Sequence, residues 1–96
     1  MTHRVVVRPR AIAEIKAARY TYTSISPELG KRFRDAIRER IARISERPEM
    51  YPRIHGEIRR SITADFPYSV FYSAERDEIV VLRVIHHAQD PEKWPR

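Results

Sequence analysis

The 96-residue chain contains no cysteine, which excludes a disulfide framework and any thiolate zinc site. Long apolar runs are missing as well. The longest, Ile79 to Leu82, is far too short to cross a bilayer. The valines that follow Arg4 are too few to form the apolar core of a signal peptide. A cytoplasmic protein with no membrane role is therefore expected. Glycine occurs only twice, so the chain offers no flexible linker. With no repeat or low-complexity tract either, residues 1–96 are expected to form a single domain. Its core should be adequate but thin, since a chain of this size buries roughly two-thirds of its unfolded surface.

Lysine is also scarce. Lys16, Lys31 and Lys93 are the only lysines among nineteen basic residues, and the rest are arginine. The net charge is +6 and the isoelectric point about 10.2, a field that attracts nucleic acid, the ribosome, an acidic protein or anionic lipid. Arginine adds a planar fork that grips phosphate and carboxylate bidentately. A GC-rich genome also inflates arginine, so the net charge is the firmer observation.

The patterning reads as one strand, two helices and then a run of strands, an order that points to α+β rather than parallel α/β. Thr2 to Val7 carries three consecutive valines and reads as a short strand. Pro9 suits the first turn of a helix in which Ile12, Ile15, Arg19 and Tyr22 share a side, with Ala11 and Ala18 beside them. A few residues around Thr23 to Ser26 then turn the chain into a second helix. Ser26 is its expected N-cap, Pro27 its first residue, and Leu29, Phe33, Ile37, Ile41 and Ile44 its apolar stripe. Glu28–Arg32 and Glu39–Arg43 have the i,i+4 spacing of helix ion pairs, and Pro48 ends the helix. That stripe is what a two-layer domain must bury, so a core role is favoured over a membrane-surface one. Strands are expected over Ile58–Ala64, Tyr68–Ala74 and Glu78–His86, with a polar Glu75-Arg76-Asp77 turn between the last two. The final strand is apolar on both faces, as a central strand should be. In the irregular tail Trp94 is expected to fold back over an edge of the core.

This β-α-α-β-β-β order resembles the RelE/ParE family of toxins. The resemblance rests on the Ala11–Ala18 helix segment, the Leu29-to-Ile44 helix ended by Pro48, and Ile58-Arg59-Arg60 opening a strand. It rests too on the aromatic-rich Phe66-Pro67-Tyr68-Ser69-Val70-Phe71-Tyr72, and on Ile79–His86 followed by Asp90-Pro91 and Trp94. It covers nearly the whole chain. The implied fold is an antiparallel helix hairpin packed on one face of a twisted, mainly antiparallel sheet. The implied function is the toxin of a type II toxin–antitoxin system, silenced by a cognate antitoxin whose partly disordered segment folds on the toxin. A second copy of the chain is a further candidate partner. ParE-like members poison DNA gyrase, whereas RelE-like members cleave mRNA in the ribosome without metal.

Metal-free RNA cleavage needs a base, cations for the phosphorane and an acid for the leaving oxygen. Arg59, Arg83, His86 and His87 are the candidates, with no cofactor and no metal expected. Adjacent histidines on a strand point to opposite faces, so His86 and His87 cannot readily share an ion. On the strand from Ile58, alternation places Arg59, Ser61 and Thr63 opposite Ile58, Ile62 and Ala64, and the polar set is expected on the face not covered by helices. Arg83 shares a face with Ile79, Val81, Ile85 and His87. If that is the open face, Arg59, Arg83 and His87 meet on one phosphate and His86 points toward the helices. Arg59, Arg60, Ser61, Thr63, Ser69 and Arg83 are the candidates for binding the target or the antitoxin. The competing reading of the arginines is a solvated surface or pairing with an antitoxin carboxylate. In RelE-like nucleases an essential arginine lies on the aromatic-rich strand. Here Ser69 stands there, and the lysines some members use are missing too, although His86 falls near a histidine that some ribosome-dependent members use. The thinned cation set favours the ParE-like branch over the nuclease.

Overall fold

A computed structural model describes residues 3–96. Strand β1 (Arg4–Val7) leads into helices α1 (Pro9–Ile25) and α2 (Pro27–Glu46), and a 3-10 turn (Pro48–Met50) follows. Strands β2 (Arg53–His55), β3 (Ile58–Ile62), β4 (Tyr68–Glu75) and β5 (Glu78–His86) complete the sheet, and a second 3-10 turn spans Pro91–Lys93. The sheet order is β1-β5-β4-β3-β2, with β1 parallel to β5 and the other pairs antiparallel. The helix hairpin packs on one face, as expected. β5 is flanked on both sides, which its two apolar faces foretold. Thr2, expected to begin the first strand, lies outside the described residues, and β2 is an edge strand that the patterning did not predict.

The link between the helices is shorter than expected, because α1 runs through Thr23, Ser24 and Ile25. Ser26 alone turns the corner. Its extended backbone stops α1, its N–H donating to Tyr22 O, while its Oγ accepts the Leu29 N–H at 3.1 Å and caps α2. So tight a corner brings the helices close at Gly30, where an added Cβ would collide with Thr23 Oγ1 and lie 3.1 Å from Thr23 Cα. Gly30→Ala is therefore expected to destabilise the protein by about 1–3 kcal/mol through overpacking. That outweighs the roughly 1 kcal/mol that alanine gains over glycine in a helix. A shift to higher midpoint in urea unfolding would overturn the close-approach account.

On α2 the buried stripe is the predicted one, with Phe33, Ile37 and Ile44 buried and Leu29 and Ile41 packed against them. On α1 the stripe is rotated. Ala11 and Ala18 are buried and Ile15 and Tyr22 lean on the core, but Ile12 and Arg19 face solvent. The small alanines let α1 lie close to β5, while Ile12 falls outside that contact. Of the two expected ion pairs, Glu39–Arg43 forms at 3.1 Å, and no Glu28–Arg32 pair is present among the described residues. Phe33 sits at the centre of an aromatic cluster, its ring 5.1 Å from Tyr22, 5.3 Å from Phe66 and 5.1 Å from Tyr68.

Tyr72 on β4 is fully buried, and its hydroxyl donates to the Pro48 carbonyl, fixing the turn after α2 to the sheet. Burial pushes this hydroxyl above the usual tyrosine range, against a smaller opposing pull from Arg59. The folded state thus holds the proton more tightly than the unfolded chain does. The resulting stability is fully present below about pH 10 and is lost as pH rises toward the folded value. Tyr72→Phe is expected to cost about 1–3 kcal/mol at neutral pH by stranding the Pro48 carbonyl. Above pH 10 it should also remove as much as about 1.4 kcal/mol per pH unit from the alkaline decline in stability. Denaturant titrations at pH 8 and pH 11 check both effects, and parallel pH profiles for the two proteins would refute the second.

Candidate functional site

Strand register decides where the candidate residues lie. Val70 and Tyr72 of β4 belong to the core beneath the helices, and β3 pairs with them as Ser61↔Val70 and Arg59↔Tyr72. Arg59, Ser61 and Thr63 therefore face the helix layer, the reverse of the expected placement. Ser61 and Thr63 are buried. Thr63 Oγ1 donates to Phe66 O at 2.9 Å, whereas Ser61 Oγ has no protein partner. Arg59 escapes burial along the edge, donating to Tyr51 O at 2.6 Å and Glu49 O at 3.3 Å. The apolar residues of β3 take the open face instead, and Ile62 is half exposed there.

β5 departs from simple alternation through a bulge at Leu82. Phe71 pairs with Arg83, but Tyr72 pairs with Val81. The extra residue reverses the parity of the strand. Ile79 and Val81 consequently join the helix-side core, whereas Arg83 and Ile85 lie on the other face. Arg83 thus shares a face with Ile85, as read from the sequence, but not with Ile79 and Val81.

Arg83 is also not a free cation. Its Nη2 lies 2.7 Å from Glu14 Oε2, and its Nε lies 2.9 and 3.1 Å from the two carboxylate oxygens. Its Nη1 donates to Lys93 O at 3.1 Å. The pair is largely withdrawn from water, with side-chain exposures of 11% for Arg83 and 21% for Glu14. The Glu14 carboxylate does a second job. β1 ends opposite Val81, leaving the outer edge of β5 without a neighbouring strand, and Glu14 Oε1 accepts the Val84 N–H there at 2.9 Å. Glu14 was not singled out from the sequence. The available signal was an acid set among the small and apolar α1 residues Ala11, Ile15 and Ala18.

Arg60, opposite Phe71, is held in the same neighbourhood. Its Nε donates to Ser69 Oγ at 2.8 Å, and its guanidinium lies 4.6 Å from the Trp94 ring centroid, a cation–π arrangement. The Trp94 ring in turn meets buried Phe71 at a tilt of 49°, with centroids 5.2 Å apart. The tail folds back as expected, closing over the open face between Arg60 and Arg83. His86 lies at the other end of β5, on the helix side. Its ring meets Tyr68 edge-on at 5.0 Å, and its Nδ1 accepts the Ala88 N–H at 2.9 Å. His87 is exposed beyond the strand end.

The structure therefore does not bring Arg59, Arg83 and His87 to one point. It brings Arg60, Ser69 and Arg83 together around Phe71 and Trp94. Among the described residues no group of three or more His, Asp or Glu side chains is placed to hold a metal ion. No helix among them is long and apolar enough to cross a membrane.

Residues 5–91 match the family described as the ParE toxin of the type II toxin–antitoxin system parDE. The chain belongs to the ParE toxin family. No curated protein matches this ParE-family sequence. Among solved structures, a chain described as the chromosomal ParDE TA system from P. aeruginosa superposes on it with a TM-score of 0.77 at 19% identity. The alignment covers 88% of this chain and 96% of that one. At that identity the likeness concerns the fold. It matches the arrangement seen here, two helices against a mixed five-stranded sheet.

Proposed function

We propose that this ParE-family chain is a toxin that poisons a macromolecular target, DNA gyrase, by binding rather than by cleavage, and that a cognate antitoxin neutralises it. The carrying observation is the engagement of the arginines that a nuclease would need. Arg83 is held bidentately by Glu14, Arg59 by two carbonyls, and Arg60 by Ser69 and Trp94. A phosphorane is stabilised by preorganised cations whose charge is not already offset, with a base and an acid close by. Here the histidines lie apart from the arginine pair. Arg60 and Arg83 instead order the tail that covers the open face, which suits a rigid binding surface.

The test is a gyrase supercoiling assay with the folded protein, scored for inhibition and for trapped double-strand breaks. Breaks that need both gyrase and this protein are expected. Unimpaired gyrase, together with new transcript 5′ ends after induced expression, would replace this reading with ribosome-dependent mRNA cleavage. The antitoxin is expected to be the product of an adjacent small gene and to co-purify with the toxin.

A further inference from the structure

The side of the helix hairpin turned away from the sheet carries charge of mainly one sign. Ala11 and Ala18 fix the face of α1 that meets the core, so Lys16, Arg19 and Tyr20 project from its far side and flank. On α2 the buried Phe33, Ile37 and Ile44 turn Lys31, Arg34 and Arg38 outward in the same way. The close approach of Thr23 to Gly30 sets the alignment of the two helices. They run antiparallel, so four-residue steps from that contact place Arg19 beside Arg34 and Lys16 toward Arg38. The cations of one helix therefore flank those of the other. Lys16, Arg19, Lys31 and Arg38 are exposed and take part in no ion pair among the described residues. Two acids border them: Asp35, paired with Arg34 at 3.1 Å, and Glu28 in the first turn of α2. Amid these charges Tyr20 is 76% exposed and takes no part in the core.

We infer that this helix face binds single-stranded DNA, with phosphates lying along the cations and a base stacked on the Tyr20 ring. The face lies on the opposite side of the molecule from the tail-covered open face, and the inference does not depend on the target proposed above. Charge complementarity selects a polyanion. The exposed ring selects an unpaired strand, because every base offers a π-face to stack on an aromatic side chain. A duplex would engage the cations but keeps its bases stacked on one another. An acidic peptide would engage them too, but it needs an apolar anchor point. The other exposed large apolar residues of α1, Ile12 and Ile25, stand at its two ends, about 20 Å apart, too far to form one. Nothing beside the ring is set to select RNA. Thr21 and Ser24 donate to Ala17 O at 3.2 Å and Tyr20 O at 2.9 Å, and Thr23 is turned to Gly30, so no hydroxyl there is free to donate to a ribose 2′-hydroxyl.

Fluorescence anisotropy with a short labelled oligothymidine tests the face directly. Comparison probes are the matching oligouridine, a DNA duplex of the same length and a poly-glutamate peptide. The DNA strand is expected to bind, with log affinity falling against log salt at a slope of about −3, the value for roughly four phosphates neutralised on a single strand. The double variant Arg19→Glu/Arg38→Glu should weaken binding roughly 10- to 100-fold and flatten that slope. Tyr20→Ala should weaken it about 5- to 50-fold and leave the slope unchanged, whereas Tyr20→Phe, which keeps the ring, should bind as the wild type does. All three altered positions are exposed, so circular dichroism is expected to be unchanged. Full-strength binding by either Tyr20→Ala or the double variant would overturn the assignment, as would no binding of the strand at low salt. Tighter binding of the duplex or of the poly-glutamate peptide would overturn it in favour of that partner. Oligouridine is expected to bind within about threefold of oligothymidine, and a preference for it above about tenfold would reassign the face to RNA.

Discussion

Glu14→Ala is expected to lower the unfolding free energy by about 3–5 kcal/mol, the cost of stranding a buried charge once its partner is removed. In a domain of this size that corresponds to a fall in melting temperature of about 15 °C or more. Native domains hold only about 5–15 kcal/mol in total, so the variant should sit near the edge of folding. The size of the effect follows from what one carboxylate does. It offsets Arg83 through contacts at 2.7 and 2.9 Å and also accepts the Val84 N–H on the unpaired edge of β5. Glu14→Gln keeps an acceptor for Val84 and should cost less. The pair as such need not be strongly stabilising, because desolvating two charges offsets much of their attraction. Glu14→Leu/Arg83→Met is thus expected to recover a large part of the loss. Thermal denaturation of the single and double variants checks this, and additive effects across the cycle would show that the two residues act independently.

Phe33→Ala should be comparably severe, at about 3–5 kcal/mol, the range for removing a buried aromatic ring. Phe33 is fully buried where α2, the end of α1 and the β3–β4 connection meet, in ring contact with Tyr22, Phe66 and Tyr68. The void would touch both layers, and the tight Ser26 corner leaves the helices little freedom to close it. Phe33→Leu retains most of the volume and is expected to cost less than half as much. Urea unfolding followed by far-ultraviolet circular dichroism gives both values. A loss below about 1 kcal/mol for the alanine variant would mean that the cluster collapses around the void.

The two substitutions bear differently on function. Loss of Glu14 releases Arg83 and with it the hydrogen bond to Lys93 O that helps hold the tail against the open face. Loss of Phe33 leaves Arg60, Ser69 and Trp94 untouched. If the covered open face matters for the target, Glu14→Gln should impair growth inhibition more than a core substitution of equal stability cost.

The α+β class, the helix hairpin, the α2 stripe, the Ser26 cap, the extent of β5 and the folding back of Trp94 were all legible in the sequence. These features rest on local rules. A 3.6-residue period, a hydroxyl before a proline, or a run of β-branched residues acts on neighbours in the chain. The family was legible too, because the order of such elements is itself a sequence property. The composition of the candidate site was legible only in part, since Arg60, Ser69 and Arg83 were among the candidates but the contacts that hold them were not. Arg59, Ser61 and Thr63 were assigned to the open face by alternation, yet a strand carries two alternating sets, and only pairing with β4 decides which meets the helices. Thr63 can be buried here because its hydroxyl finds carbonyl partners, whereas Arg59 stays out of the core by reaching past the edge to the turn after α2. The bulge at Leu82 reversed the parity of β5 within the strand, a shift of one residue that no period reveals. The Glu14–Arg83 pair joins residues 69 positions apart. The sequence thus determined which elements form and what charge they carry, through interactions a few residues long. The tertiary structure alone decided which side chains meet, because one residue of strand register exchanges the two faces of a sheet.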